Sequence, residues 1–340
     1  MKTVSVMWQS EEENDLHCLF CGDPINESAS KEEKRSQWHT KCVRSFFKTD
    51  LMPEIDVSKS ELESLVKKTV NRGLTVPGVQ KKLSLHLSGV GAEPKLTIVD
   101  YPTGYILKPQ SDGFKALPES EFYLMKLALK FGIKTVPCAL VRMQKQKGAP
   151  FAYITRRVDR IISPGKTKML AMEDFCQLGH RQTQDKYKSS YEQVGKILLR
   201  YSSSPYIDSS ELYMRLLFCY LTGNSDMHLK NFSLIETKPG SREFVLSPAY
   251  DLLPVNVVMP EDTEEMALSM NGKKNNLTRR DFLNYAAFLK INASAAKKIT
   301  DRFLDMQSVA LDALAESYMP ADMKARAESL LKHRFERMKL

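Results

Sequence analysis

Between residues 83 and 155 the apolar positions recur in short runs, several of them at every second residue. Leu83, Leu85 and Leu87 alternate with polar neighbours, and Lys95–Val99, Tyr105–Leu107, Pro137–Met143 and Phe151–Thr155 repeat the signature of half-buried strands. One segment breaks this rhythm. Pro118–Gly132 places Phe122, Met125 and Leu129 on a helical stripe, with acids in the first turn and glycine at the end, which predicts a helix. Past Met172 the period lengthens. Tyr191–Tyr201, Ser210–Thr222 and several stretches between Thr278 and Lys339 carry apolar stripes at helical spacing, and strand signals are confined to a hairpin, Phe232–Ile235 with Phe244–Leu246. The expected fold is α+β and two-lobed: a small mixed sheet with one helix, then a mostly helical lobe. The expected divisions are 1–50, 51–158 and 159–340, with Arg156–Arg160 as the hinge and residues 49–62 as a linker that leads into a helix starting at Ser60.

The candidate chemistry sits around that hairpin. Asp226 and Asn231, five positions apart, have the spacing of a kinase catalytic loop, in which one side chain meets an acceptor hydroxyl and the other holds magnesium. Asp251, on the far side of the hairpin, supplies a second metal ligand. Taken alone, Asp226, Asn231 and Asp251 read equally well as turn residues. Their order along the chain adds weight. Upstream lie a Pro77-Gly78 turn with Lys81 and Lys82, whose amides suit phosphate, and Lys108 at the end of an apolar strand, where a kinase keeps its phosphate lysine. Glu121 either pairs with Lys108 or favours the dipole of its own helix.

A second constellation lies near the N-terminus: Cys18-x-x-Cys21, then His39-x-x-Cys42. Two pairs at this spacing can complete a tetrahedral site for structural Zn2+, with Gly22 in the tight turn and Trp38, Phe46 and Phe47 as an apolar shell. His17 is an alternative ligand or a supporting group. The bland reading is three ordinary thiols near a histidine.

Composition narrows the classes. Six cysteines in 340 residues argue against a disulfide scaffold, and Cys138, Cys176 and Cys219 sit in apolar contexts. No apolar run has the length of a membrane span and the first residues lack a signal-peptide core, so a cytoplasmic location is expected. The net charge of +9 comes from 50 basic and 41 acidic residues spread through the chain, which is not a nucleic-acid signature by itself.

Five stretches carry a resemblance. Thr75–Leu83, Tyr105–Pro109, Ile154–Arg160, Gly223–Ser233 and Ala249–Leu253 resemble the HipA-like serine/threonine protein kinases, toxins of HipBA- or HipBST-type toxin–antitoxin modules. The string Asp226-x-His-x-Lys-Asn-Phe-Ser233 is its most specific part, and the resemblance covers residues 60 to 335. It implies a protein-kinase-like fold, ATP and Mg2+ as cofactors, and Asp226 as the acid that orients the substrate hydroxyl. Asn231 and Asp251 would hold magnesium and Lys108 would contact phosphate. The loop Pro77, Gly78, Val79, Gln80, Lys81 and Lys82 would cradle phosphates. Arg156, Arg157 and Val158 would face adenine, and His228, Lys230 and Tyr250 would line the nucleotide. Thr75 stands where the family is autophosphorylated.

Two departures matter. Pro77 stands where some split-module members have a second serine, and the N-terminus is short against the full-length HipA form. The missing part is then expected from an antitoxin-like partner. The function implied is transfer of the ATP γ-phosphate to a protein serine or threonine, with an aminoacyl-tRNA synthetase as the target class. DNA contact would be indirect, through a helix-turn-helix antitoxin, and no membrane contact is expected. A lipid or small-molecule kinase and a catalytically silent nucleotide-binding module are the alternatives.

Overall fold

The computed structural model of the chain describes residues 16–56, 82–88, 93–97, 103–111, 113–143, 150–163 and 166–340. The helix expected from Ser60, Thr75 and the turn residues Pro77 to Lys81 lie outside the described residues.

The alternating segments form strands β1 (Glu54–Asp56), β2 (Leu83–Ser88), β3 (Lys95–Thr97), β4 (Tyr105–Pro109), β5 (Cys138–Arg142) and β6 (Phe151–Arg156). They make one six-stranded sheet in the order β1-β3-β2-β4-β6-β5. β1 and β3 run parallel and the other neighbours antiparallel, so the sheet is mixed. Its register is fixed by a buried row across four strands, Leu83, Leu107, Ile154 and Ala139. A slip by one residue would turn that row to the opposite face. The helix Leu117–Lys130 packs on β5 and β6.

The N-terminal segment wraps the outer edge of β5. Leu140 donates its backbone NH to the Leu19 carbonyl (3.0 Å), and the Trp38 indole NH donates to the Leu140 carbonyl (3.2 Å). An edge strand that would otherwise offer unpaired backbone groups is thereby covered. Phe20, Trp38, Phe46 and Phe47 stack into one aromatic cluster against Tyr105, whose hydroxyl donates to the Phe46 and Phe47 carbonyls.

The second half is helical around Pro205–Thr222, whose Leu212, Tyr213, Leu216, Leu217, Phe218, Tyr220 and Leu221 are buried. Helices Tyr191–Tyr201, Arg279–Phe288, Ala293–Asp305 and Ala321–Lys339 pack on it. The hairpin forms as expected, β10 (Ser233–Glu236) with β11 (Phe244–Leu246). The strand signals are not confined to it, however. β9 (Met172–Asp174) adds a third strand to β10, and β7 (Arg160–Ser163) pairs with β8 (Lys166–Met169) just after the expected hinge. These strands are three or four residues long, too short to show alternation. β1 escapes the pattern for the same reason, because Ile55 is its single apolar residue. No helix among the described residues is long and apolar enough to cross a membrane.

Candidate functional site

The loop after helix Pro205–Thr222 starts from a forced geometry. Gly223 has φ +71°, a backbone conformation that favours glycine, and a Cβ there would come within 2.8 Å of Leu330 Cδ1, so that leucine's tip would have to shift. The Asn224 NH closes the helix on the Cys219 carbonyl (2.9 Å), a left-handed helix end. From this point the chain is tightly cross-bonded. Ser225 Oγ donates to Asp262 (2.7 Å), and Asn231 Nδ2 donates to the Asp226 carbonyl (2.8 Å) across the short 3₁₀ turn Leu229–Asn231. Asp226 and Asn231 are thus locked in one turn. With its nitrogen engaged, Asn231 has its side-chain oxygen left as the atom that could meet a cation. His228 between them is buried, and its Nδ1 has no hydrogen-bond partner. Burial holds its pKa below the usual histidine range, against the pull of Asp226.

Asp251 lies in a segment held from two sides. The Ala249 NH donates to the Lys134 carbonyl (2.7 Å) and the Ala249 carbonyl accepts from Val136 (3.0 Å). The Tyr250 hydroxyl donates to the Lys230 carbonyl (3.1 Å) and meets Ser233 Oγ (2.5 Å), which ties the Asp226 loop to the segment carrying Asp251. Asp251 itself has φ +60°. A non-glycine residue in this left-handed region carries backbone strain, and such strain concentrates at working sites.

The charges around Asp251 form a chain. Lys108 Nζ bonds one carboxylate oxygen and Lys82 Nζ the other (2.8 Å), while Lys108 also pairs with Glu121 (2.6 Å). The Lys108 and Glu121 side chains are only 5% and 2% exposed, so the pairing reading of Glu121 is the observed one. Burial pushes the Asp251 carboxyl up, but Lys108 and then Lys82 outweigh it and hold it well below the usual range. Burial disfavours the Lys108 charge, and Asp251 and Glu121 more than restore it. Both Asp251 oxygens are engaged by ammonium groups, so a metal ion could use this carboxylate only where the lysines turn to other anionic partners.

Some expected nucleotide contacts are engaged elsewhere. Lys230 pairs with Asp174 (2.8 Å), Arg157 binds Asp159 through two nitrogens (3.0 and 2.7 Å), and Arg156 donates to the Ser45 carbonyl (3.5 Å). Val158 is half-buried against the core. One residue at the site was not expected from the pattern. Tyr187 donates its hydroxyl to Asp226 Oδ1 at 2.5 Å.

At the other end of the sheet, ligand atoms of Cys18, Cys21, His39 and Cys42 all lie within 4.8 Å of one another. Sulfurs held about 2.3 Å from one ion at tetrahedral angles stand roughly 3.8 Å apart. His39 Nδ1 lies 3.4 Å from Cys21 Sγ and 3.9 Å from Cys42 Sγ, which matches that spacing. Its Nε2 is 3.2 Å from the Pro24 carbonyl, the outer bond that orients a ligating imidazole. Gly22 takes φ +86° in the knuckle turn. His17 is not one of these four, and its carbonyl accepts from the Tyr318 hydroxyl (3.2 Å).

A family model, the HipA-like C-terminal domain, matches residues 74–311. The chain belongs to the HipA-like family. It is 25% identical to a Haemophilus influenzae protein named "Putative kinase", over 79% of this chain and 82% of that one. A second kinase-named relative, from Sinorhizobium fredii, is 32% identical over 61% of this chain and 53% of its own length. The serine/threonine-protein kinase toxin HipA of Shewanella oneidensis is 29% identical over 56% of the chain, which spans 45% of that relative. The solved structure of HipA with HipB and operator DNA from the same organism superposes with a TM-score of 0.64 at 22% identity. It covers 78% of this chain and 65% of that one. The fold is therefore the mixed α+β, kinase-like fold of HipA, and the described site lies within the HipA-like region.

Proposed function

We propose that this HipA-like chain is a kinase that uses ATP and Mg2+ to phosphorylate a serine or threonine of a protein. The observation that carries the reading is the joining of two halves: Asp226 and Asn231 fixed in one turn, and Asp251 bridged to Lys108 and Glu121. Phosphoryl transfer asks mainly for positioning and charge compensation, and these groups can supply both. Magnesium, when bound, would neutralise charge on the phosphates, with Asn231 and Asp251 as its holders. Asp226 accepts the proton of the acceptor hydroxyl as its oxygen bonds to the γ-phosphorus and ADP leaves. Lys108 and Lys82 exchange their hold on Asp251 for phosphate oxygens, with Glu121 keeping Lys108 oriented.

The finer reading follows the relatives. HipA of Shewanella oneidensis is named a toxin and is solved with HipB and operator DNA, which supports an antitoxin partner and indirect DNA contact here. An aminoacyl-tRNA synthetase substrate, a cytoplasmic site of action and autophosphorylation at Thr75 belong to the same proposal. So do the divisions 1–50, 51–158 and 159–340, and a structural Zn2+ on Cys18, Cys21, His39 and Cys42. The test is transfer from γ-labelled ATP in a bacterial lysate, comparing the intact chain with Asp226→Asn. Label on one protein band, lost in the variant, supports the reading; label confined to lipids or small molecules, or equal label from the variant, overturns it.

A further inference from the structure

One oxygen of the Asp226 carboxylate is already engaged. Tyr187 belongs to the polar stretch 182–190, which leads from the 3₁₀ turn Thr183–Asp185 into helix Tyr191–Tyr201. Its hydroxyl donates to Asp226 Oδ1. The stretch is fastened to the loop on both sides of that bond. The Leu229 NH donates to the Lys186 carbonyl (3.2 Å), and the Tyr191 hydroxyl donates to the Met227 carbonyl (3.2 Å). The Tyr187 ring stands edge-on to His228 with centroids 4.9 Å apart, and the Lys186 ammonium lies over it at 4.9 Å.

Packing alone does not require this arrangement. Tyr187 is 42% exposed, so its hydroxyl could be satisfied by water, and the ring can leave without opening the core. Burial and the Asp226 charge push its phenol up, so the hydroxyl keeps its proton and donates. A hydroxyl that donates to the proton-accepting acid stands where an acceptor hydroxyl must stand.

We propose that Tyr187 fills the acceptor-hydroxyl place on Asp226 and is an internal competitor that any incoming alcohol or water must displace. This rests on the kinase reading above. With Tyr187 in place one oxygen of the acid is taken, so water must compete with the phenol for it, and ATP hydrolysis is slowed while no protein acceptor is bound. With Tyr187 displaced, water can serve. Its oxygen bonds to the γ-phosphorus, the bond from phosphorus to the ADP oxygen breaks, and the released proton passes to Asp226.

The experiment follows ADP release from MgATP by the full chain without a protein acceptor. It compares the parent with Tyr187→Ala, which empties the place, and Tyr187→Phe, which removes only the hydrogen bond. Intact mass of the parent is recorded alongside, and thermal denaturation checks folding. Hydrolysis about tenfold faster in Tyr187→Ala, the scale of losing one hydrogen bond to a charged group, with KM for ATP unchanged, supports the proposal. So does phosphate found on Tyr187 itself, because only a hydroxyl in the acceptor place can receive it. Equal, measurable hydrolysis by parent and both variants, with Tyr187 unmodified, overturns the proposal and leaves the kinase reading standing. Slower hydrolysis in both folded variants overturns it too, since the hydroxyl would then be aligning Asp226 rather than blocking it. No ATP consumption by any of the three, or in lysate, removes the kinase reading and this proposal together.

Discussion

Lys108 and Asp251, 143 positions apart, meet as an ion pair that joins the sheet to the loop after the β10–β11 hairpin. Glu121 holds the other side of the same ammonium, so one lysine links strand β4, the helix Leu117–Lys130 and the Asp251 segment. Removing the lysine strands a carboxylate. For Lys108→Met, Glu121 would be left buried and unpaired, a loss of about 3–5 kcal/mol. Lys108→Met with Glu121→Leu should recover most of it, because neither charge then remains. Urea denaturation of the two variants measures this, and a double variant as unstable as the single one would refute the account.

Asp226→Asn should leave folding unchanged, since the Asp226 carbonyl, not its carboxylate, receives Asn231. Transfer should fall by about 10³-fold, the scale of a lost general base. Single-turnover transfer from labelled ATP, together with a melting curve, tests both halves of the claim.

His228 gives a pH dependence with a definite sign. Its folded pKa lies below the ordinary value near 6.5, because burial disfavours the charged ring. Below about pH 6.5 the unfolded chain binds a proton that the folded chain refuses, so stability falls as pH drops, by at most about 1.4 kcal/mol per unit from this group. At higher pH the contribution is flat. Denaturation series between pH 5 and 8 should show this slope in the parent and a shallower one in His228→Gln.

The cysteine cluster predicts one zinc per chain by elemental analysis. Stripping it with a chelator should lower Tm by about 5 °C or more, since an ion bound only by the folded state stabilises it. The emission of Trp38, which stacks on Phe20, should change in the same titration. Cys42→Ser should bind less zinc and melt at the stripped protein's temperature. A parent purified without zinc that melts unchanged on adding it would count against the site.

Gly223→Ala combines a left-handed backbone with a 2.8 Å approach to Leu330. It should destabilise the chain by about 1–3 kcal/mol and reduce transfer further, because the strain falls three residues before Asp226. Melting and turnover measured on one preparation separate the two effects.

The parts of this fold that were legible in the sequence are those with long repeats. Helix Tyr191–Tyr201 and strands β2, β4 and β6 follow their apolar spacing to within a residue or two. The spacing that singled out Asp226, Asn231 and Asp251 falls on a turn and a segment that the structure joins, through the Tyr250 hydroxyl on the Lys230 carbonyl. Strands β1, β7, β8 and β9 were hidden because their partners, not their own residues, define them. Arg157 and Lys230 show what a motif leaves out. Asp159, inside the same stretch as Arg157, and Asp174, well before the loop that carries Lys230, take their charges, and spacing alone does not announce either pairing. Tyr187 had no signal at all: a tyrosine among lysines and serines gains meaning only once the fold carries it to Asp226.

The docking of the N-terminal knuckle also sets an order of events during synthesis. Its three thiols and Trp38 leave the ribosome early, yet the backbone that covers Trp38 is Leu140, 102 residues later. At about 5–20 residues per second this leaves the cluster without its platform for roughly 5–20 s. Through that interval the local aromatic contacts remain, and a bound ion would add the means to gather Cys18, Cys21, His39 and Cys42 and shield the sulfurs from oxidation. Zinc supply during translation would then govern how much newly made chain reaches a native sheet edge.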